Sequence, residues 1–412
     1  MSAGSAGQHR PLLIVIPVYK DVSATRQCIE SVAASHLPDN TEVLIIDDAS
    51  PEPELSAYCR SISDQTGYTL CVNDANLGFV ASANRGFQYS EDADVILLNS
   101  DTQVHADWAS RMRRCAASDQ KIGTVTPFSN NGTICSYPKF NCANPLPAQW
   151  TAGELDRLFA SANAALYAEI PTAVGFCMLV TRECLNETGL FDVERFGQGY
   201  GEECDFCQRA SALGYTHAVA ADVFVFHQGA ASFSDSSDAR KHAADNIIAQ
   251  LHPKYHSQVS DFIDRDPLQA LRQRVDSLRI EERPQDCMRV LEEHDSYRHL
   301  VTKELKLRLA SSEEHAEAYR LQVSEEREQR AISEQLLQEC RQSFHTTDAA
   351  LARAEQVVAD LNQAVEELQR GVAELKTGVE NEQRYSASLR QKIELMEQSR
   401  SWRYTRWLRR GG

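Results

Sequence analysis

At 412 residues and 42% hydrophobic content, the chain is long enough for two domains, or for one domain with an extended appendage. A formal net charge of -17 excludes a nucleic-acid binder that works through phosphate contacts, because no basic excess exists to release counterions. No run approaches the ~18 consecutive apolar residues that a membrane-spanning helix needs. Twelve cysteines are scattered without paired spacing, and the opening MSAGSAGQHR lacks the apolar stretch of an export signal. The expectation is a reducing cytosol, with free thiols packed as small apolar groups.

Residues 1–10 read as a flexible tail. PLLIVIPVYKD predicts a first strand, Leu12 to Ile16, that stops at Pro17 and leaves Tyr19 and Asp21 beyond its end. A helix follows, with Cys28, Ile29 and Val32 at helical spacing, and it ends near His36 to Pro38. EVLIIDDAS predicts a second strand, Val43 to Ile46, that finishes in Asp47 and Asp48. Next come a helix around Leu55 to Ile62, a short strand Tyr68 to Val72, and NLGFVASANRGF, in which Gly78 and Gly86 flank a helical stretch. Small residues there let backbone approach a ligand closely, and helix N-termini favour anions. The spacing is not the GxGxxG fingerprint, which disfavours a nicotinamide cofactor.

DVILLNSDT carries the chemistry. Val95 to Asn99 read as a buried strand that ends in a polar corner with one carboxylate, Asp101. Strand ends of open α/β sheets face the ligand crevice, where an acid can hold a divalent metal that neutralises a bound diphosphate. Alternation of strand and helix to about Val125 implies a parallel sheet wrapped by helices. Residues from Thr126 to about Trp150 read as loop, Gly153 to Tyr167 as helix, and Ala173 to Val180 as strand. A Gly-rich loop then enters a helix bearing Glu202, Glu203 and Asp205, a hinge suited to closing over substrate. Cys204 and Cys207 form a CxxC with no partner pair at zinc spacing, so core packing is expected of them. A last strand, Ala218 to Phe226, runs into His227, Gly229 and Ser232.

IPVYKD, IIDDAS, NLGFVASANRGF, LLNSDT, GLFDVERFGQGYGEECDFC and HQGAASF, in this order, resemble a family 2 glycosyltransferase with the GT-A fold over roughly residues 11–235. That fold is an α/β, Rossmann-like mixed sheet with helices on both faces. The resemblance implies that Pro17, Tyr19 and Asp48, with Asp47 beside it, hold the base and ribose of a nucleotide-diphosphate sugar, and that Asn76, Gly78, Asn84 and Asn99 line the same pocket. It implies Mg²⁺ or Mn²⁺ on Asp101, with His227 as a second ligand, and Glu203 as general base, with Glu202 and Asp205 as rival assignments. Two departures stand out: Asn99 where the metal motif usually has an acid, and Glu203 where the base is commonly Asp. TPFSNNGTICSYP and GEECDFC further resemble transferases of bacterial O-antigen or capsular polysaccharide, often with a deoxysugar donor such as rhamnose. The acceptor would be a glycan or lipid-linked hydroxyl. Two other readings remain open: a nucleotidyltransferase, although Val18 to Ser23 lacks a Gly-rich basic triphosphate loop, and a non-catalytic coiled-coil scaffold with a vestigial sugar-nucleotide site.

The expected domains are a GT-A domain over 11–265, a helical linker over 266–345, a coiled coil over 346–398 and a basic aromatic tail over 399–412. From Leu351 a heptad holds, with Leu351, Val358, Val365, Val372, Val379, Ser386 and Ile393 at a, and Ala354, Leu361, Leu368, Leu375, Glu382, Leu389 and Met396 at d. This favours a parallel two-stranded coiled coil and hence a homodimer, with a single amphipathic helix folded back onto the catalytic domain as the alternative. In SRSWRYTRWLRR, Tyr404, Trp407 and Leu408 share one helical face and Arg403, Arg406 and Arg410 the other, a pattern suited to peripheral contact with an anionic membrane at the cytoplasmic face.

Overall fold

The computed structural model describes residues 10–197, 199–229, 237–343 and 348–398. The amphipathic tail beyond Gln398 and Ser232 of HQGAASF lie outside the described residues. The chain divides into two compact units, Met1–Val290 and Leu291–Gly412.

The first unit is built on one nine-stranded sheet of β1 (Leu12–Val18), β2 (Thr41–Asp47), β3 (Thr69–Val72), β4 (Asp94–Leu98), β5 (Thr102–Gln103), β6 (Ile122–Ser129), β7 (Tyr167–Ile170), β8 (Cys177–Val180) and β9 (Thr216–His227). Their order is β3-β2-β1-β4-β8-β6-β9-β5, with β7 also paired to β9. Helices α1 (Val22–Ala34), α2 (Pro53–Thr66), α3 (Phe79–Tyr89), α4 (Trp108–Ala116), α5 (Ala152–Ala162), α6 (Arg182–Thr188), α7 (Val193–Phe196) and α8 (Glu202–Ala212) are interleaved with the strands. After β9 come α9 (Ser237–Leu251), α10 (Tyr255–Arg265) and α11 (Gln269–Glu282).

Strand β1 shows why the sheet is covered on both sides. Successive side chains of a strand point to opposite faces. Leu12, Ile14 and Ile16 join a core with Ile29 and Val32 of α1, Leu55 of α2 and Met112 of α4. Leu13 and Val15 join a second core with Val80 and Phe87 of α3 and Phe206 of α8. Each such side chain contributes roughly 1.5–3 kcal/mol on burial, and a run apolar at every position is what a doubly covered strand requires. Helix α1 starts where it does because the Asp21 carboxylate accepts the Ala24 N–H at 2.9 Å.

Strands β1, β2, β3 and β4 are mutually parallel, as the strand–helix alternation predicts. The remainder of the sheet is mixed. Strand β8 inserts antiparallel between β4 and β6, so β6 does not reach β4. The stretch from Thr126, expected to be loop, continues β6 to Ser129. Pro127 is tolerated there because pairing with β8 ends at Val125 and the register with β9 shifts at Pro127 and Phe128. The helix expected to reach Tyr167 ends at Ala162, and β7 follows it. Its C-cap Asn163 donates to the Ala221 and Leu271 carbonyls, tertiary partners that local periodicity does not register. The strand expected from Ala173 begins at Cys177.

The first unit also runs past Pro267. Tyr137 Oη donates to Asp276 of α11 at 2.8 Å, Arg279 donates to Tyr137 Oη at 3.0 Å, and the Trp150 indole donates to Asp286. Arg279 and Asp286 are fully buried.

Helices α12 (Cys287–Ser343) and α13 (Asp348–Gln398) follow. In the second unit they pair antiparallel: Arg308 donates to Tyr385 Oη at 3.0 Å, Ser312 and Ser386 hydroxyls meet at 2.9 Å, and Lys306 lies 3.6 Å from Glu397. The heptad seam is therefore occupied, but by α12 of the same chain, where the sequence favoured a parallel second copy. Among the described heptad positions, Val372, Ser386 and Leu389 are buried. No described helix is long and apolar enough to cross a membrane.

Candidate active site

Parallel register brings three strand ends to one level. Val15 pairs with Leu44 on one side and Leu97 on the other, so Asp47 at the end of β2, Asp48 just after it and Asp101 after β4 emerge from the same edge as Tyr19 after β1. This is the edge at which open α/β sheets bind ligands. Pro17 is buried within β1 opposite Ile46, and Tyr19 is half-buried with the Lys20 ammonium 5.2 Å from its ring centre.

The Asp48 carboxylate is already engaged. It accepts from Asn73 Nδ2 at 2.7 Å, from the Leu77 N–H at 2.8 Å and from the Gly78 N–H at 2.9 Å. Arg85 in turn donates to Asn73 Oδ1. Asp48 thus pins the turn at residues 76–78, and Asn76 Oδ1 accepts the Gly78 N–H as well. Gly78 has φ +84, and a Cβ there would stand 2.7 Å from the Gly197 carbonyl oxygen, so glycine is required by backbone and by space. Asp47 accepts from Ser50 N–H and Ser56 Oγ. Asn84 gives both polar ends to Phe191, donating to its carbonyl at 2.9 Å and accepting its N–H at 3.0 Å. In this arrangement Asp47, Asp48 and Asn84 hold neighbouring chain in place, with most of their hydrogen-bonding capacity spent within the protein.

The second cluster lies at Asp101. Pairing of β5 with the end of β9, Thr102 against His227, carries Asp101 to the histidine. Asp101 Oδ1 lies 3.4 Å from His227 Nε2, and Oδ2 accepts the Gly229 N–H at 3.0 Å. His227 Nδ1 lies 2.7 Å from the Asn131 carbonyl, which makes Nδ1 the donor, and its ring stacks on Phe176 with centres 5.1 Å apart. Burial disfavours the charged imidazole, but Asp101 and the Asn131 carbonyl outweigh it and raise the pKa of His227. Asn99 donates its N–H to the Phe176 carbonyl at 2.8 Å, while its buried side-chain oxygen has no partner among the described residues. Among the described residues no group of three or more His, Cys, Asp or Glu could hold a metal. A cation here would have Asp101 and His227 from the protein and would take its other ligands from substrate and water. That donor set, one carboxylate and one imidazole whose far nitrogen is fixed, fits a divalent ion.

The three acids of α8 separate by environment. Asp205 is paired twice, with Arg209 at 2.8 Å and with His252 of the segment after α9 at 2.8 Å. Arg209 also donates to the Thr188 and Leu190 carbonyls, so Asp205 holds chain together. Glu202 is buried, with one carboxylate oxygen unpartnered among the described residues, and burial together with neighbouring Glu203 lifts its pKa well above the usual carboxylate range. Glu203 is half-buried beside Gly175, where a Cβ would stand 3.7 Å from its Oε1, and its Oε2 has no partner among the described residues. Burial raises its pKa against the pull of backbone amides at the start of α8.

A chain of contacts joins these parts. Gly78 abuts Gly197 in the loop that leads to Glu203, Glu203 lies beside Gly175, and the next residue, Phe176, stacks on His227 next to Asp101. Gly175, Phe176, Gly197, Asn73, Asn130 and Asn131 were not singled out as site residues from sequence, since each acts through backbone, packing or a side-chain hydrogen bond to a segment distant in the chain. Cys204 and Cys207 do pack into the protein: Tyr255 Oη donates to Cys204 Sγ and the Ala173 N–H to Cys207 Sγ.

Residues 13–189 match the family model for glycosyl transferase family 2, a stretch that includes Asp48, Gly78 and Asp101 and stops short of Glu203 and His227. The match supports sugar transfer as the chemistry of the first unit. Among individual proteins, the chain is 21% identical over 241 residues to an uncharacterized protein, y4gI, of Sinorhizobium fredii (strain NBRC 101917 / NGR234), covering 56% of this chain and 26% of that one. The chain thus spans about a quarter of that relative's length. Two solved structures are also similar. One is GalNAc-T7 with UDP, GalNAc and Mn²⁺, at 17% identity, 67% and 57% coverage of the two chains and TM-score 0.45. The other is the mannosyltransferase PcManGT of Pyrobaculum calidifontis with GDP-Man and Mn²⁺, at 15% identity, 66% and 75% coverage and TM-score 0.42.

Proposed function

We propose that the first unit is an inverting glycosyltransferase that moves a sugar from a nucleotide-diphosphate sugar to a hydroxyl of a glycan or lipid-linked acceptor. The observation that carries this reading is a carboxylate close to an acid–histidine corner: Glu203 keeps a carboxylate oxygen unpartnered among the described residues and has raised proton affinity, and Phe176, next to its neighbour Gly175, stacks on the His227 that faces Asp101. Pro17, Tyr19 and the turn pinned by Asp48 would receive the nucleoside. The Glu203 carboxylate takes the proton of the acceptor hydroxyl as that oxygen attacks the anomeric carbon. The bond from anomeric carbon to diphosphate oxygen breaks, and the nucleoside diphosphate leaves with the electron pair from the opposite side, which inverts the centre. Mg²⁺ or Mn²⁺ held by Asp101 and His227 would offset the charge on the departing diphosphate. The sequence resemblance favours a deoxysugar such as rhamnose as donor and a cell-surface polysaccharide as product.

The test is a panel of nucleotide sugars screened by thermal shift with Mn²⁺, followed by transfer assays on the donor that stabilises the protein. Asp101→Ala should abolish transfer with the fold intact. Equal activity in that variant would end the assignment.

A further inference from the structure

The stretch TPFSNNGTICSYP is not consumed by the mechanism, yet the structure wraps it around His227. Asn130 is buried, and its side chain grips the histidine backbone from both ends: Oδ1 accepts the His227 N–H at 2.8 Å and Nδ2 donates to the His227 carbonyl at 3.0 Å. The same Nδ2 donates to the Asn144 carbonyl at 3.2 Å, and Asn144 returns its N–H to the Asn130 carbonyl at 2.9 Å, which closes the loop on itself. The next residue supplies the carbonyl that takes the His227 Nδ1 proton, and its side chain packs on Gly229, whose N–H is held by Asp101.

We propose that Asn130 is a positioning residue for the cation site, fixing the end of β9 so that the Asn131 carbonyl holds the hydrogen of His227 on Nδ1 and leaves Nε2 turned to Asp101. The physical reason is tautomeric. A neutral imidazole has one N–H, so Nε2 offers a lone pair to a cation only when that hydrogen sits on Nδ1, where an acceptor holds it. The 2.7 Å contact with Asn131 against 3.4 Å to Asp101 sets that preference. Backbone pairing alone does not secure it, because β5 contributes only two residues to the ladder here. This inference rests on the reading of Asp101 and His227 as cation ligands.

The experiment measures Mn²⁺ binding to the full chain, without nucleotide, by electron paramagnetic resonance. His227→Ala should weaken binding, and Asn130→Ala should weaken it about 10- to 100-fold with circular dichroism unchanged. In transfer assays Asn130→Ala should raise the KM for Mn²⁺ and keep kcat at saturating metal. In wild-type protein labelled with ¹⁵N-histidine, the signal lost in His227→Ala should show the hydrogen on Nδ1 at a pH where the ring is neutral, a measurement that does not depend on the variant folding. If His227→Ala binds Mn²⁺ as wild type does, the cation reading itself fails. If His227→Ala is impaired and a folded Asn130→Ala is not, or the ring carries its hydrogen on Nε2, the positioning role is overturned and the cation reading stands.

Discussion

A base that removes a proton from a sugar hydroxyl works best when its own proton affinity is close to the reaction pH. Burial moves Glu203 in that direction. Because only the ionised form accepts a proton, activity should fall as pH drops through this raised pKa, so the acid limb of kcat/KM should lie above the ordinary glutamate value. Glu203→Gln should cost about 10²–10⁴ in kcat with the limb gone, whereas Asp205→Asn should lower the unfolding midpoint, since it breaks pairs with Arg209 and His252. A Glu203→Gln enzyme with wild-type turnover would move the base elsewhere. His217 makes a separate prediction about stability. It is buried between Thr124 Oγ1 and the Cys207 carbonyl, and burial pushes its pKa down to about 4 against the pull of that carbonyl. Between its ordinary value and about 4 the unfolded chain binds a proton that the folded chain does not. Stability from this residue is therefore full above about pH 6.5 and lost on acidification, by up to about 3 kcal/mol. Urea unfolding at pH 7.5 and 4.5 should show a smaller difference for His217→Gln than for wild type. Equal differences would refute it.

Among the elements, two helices show how the same residue type plays opposite parts. Gly86 of α3 lies against β1, where a Cβ would run into the Val15 side chain, so Gly86→Ala should cost about 1–3 kcal/mol of unfolding free energy. Gly371 of α13 faces open space, with nothing within 4 Å of where a Cβ would stand, and Gly371→Ala should instead stabilise the second unit by about 1 kcal/mol, read from its melting curve. The α12–α13 seam carries a polar step where Ser312 meets Ser386 and Glu382. A polar pair inside an apolar seam penalises shifted registers, which fits a hairpin whose two helices pair in one alignment. Since α12 fills this seam, a second copy would need a different face.

At the scale of the molecule, the boundary of the first unit decides what can be cut. The buried links from Tyr137 to Asp276 and Arg279, and from Trp150 to Asp286, tie α11 and the segment after it to the loop that carries Asn130 and Asn131. A chain ending at 290 should fold and bind donor. One ending at 265 strands Tyr137 without its partners, an unsatisfied buried hydroxyl costing about 1–3 kcal/mol before any loss of packing. It should aggregate or expose the loop to protease. Comparing the two truncations by limited proteolysis checks this, and equal protection would mean that α11 is dispensable.

The amino-acid sequence by itself determined the elements whose signal is local: apolar runs at β1, β2 and β4, the acids that end them, the heptad of α13, and a shortage of basic charge. Those features repeat within a few residues, so periodicity reveals them. Tertiary structure decided which acids remain available, because Asp48, Asp205 and Glu203 look alike in a chain and differ in what other segments bring to them. It also decided that β8 enters antiparallel, that a proline-bearing stretch continues β6, and that α12 rather than a second copy covers the seam. Each of these last three outcomes depends on a partner more than forty residues away, and no local pattern carries the energy of a contact that forms only when the chain closes on itself.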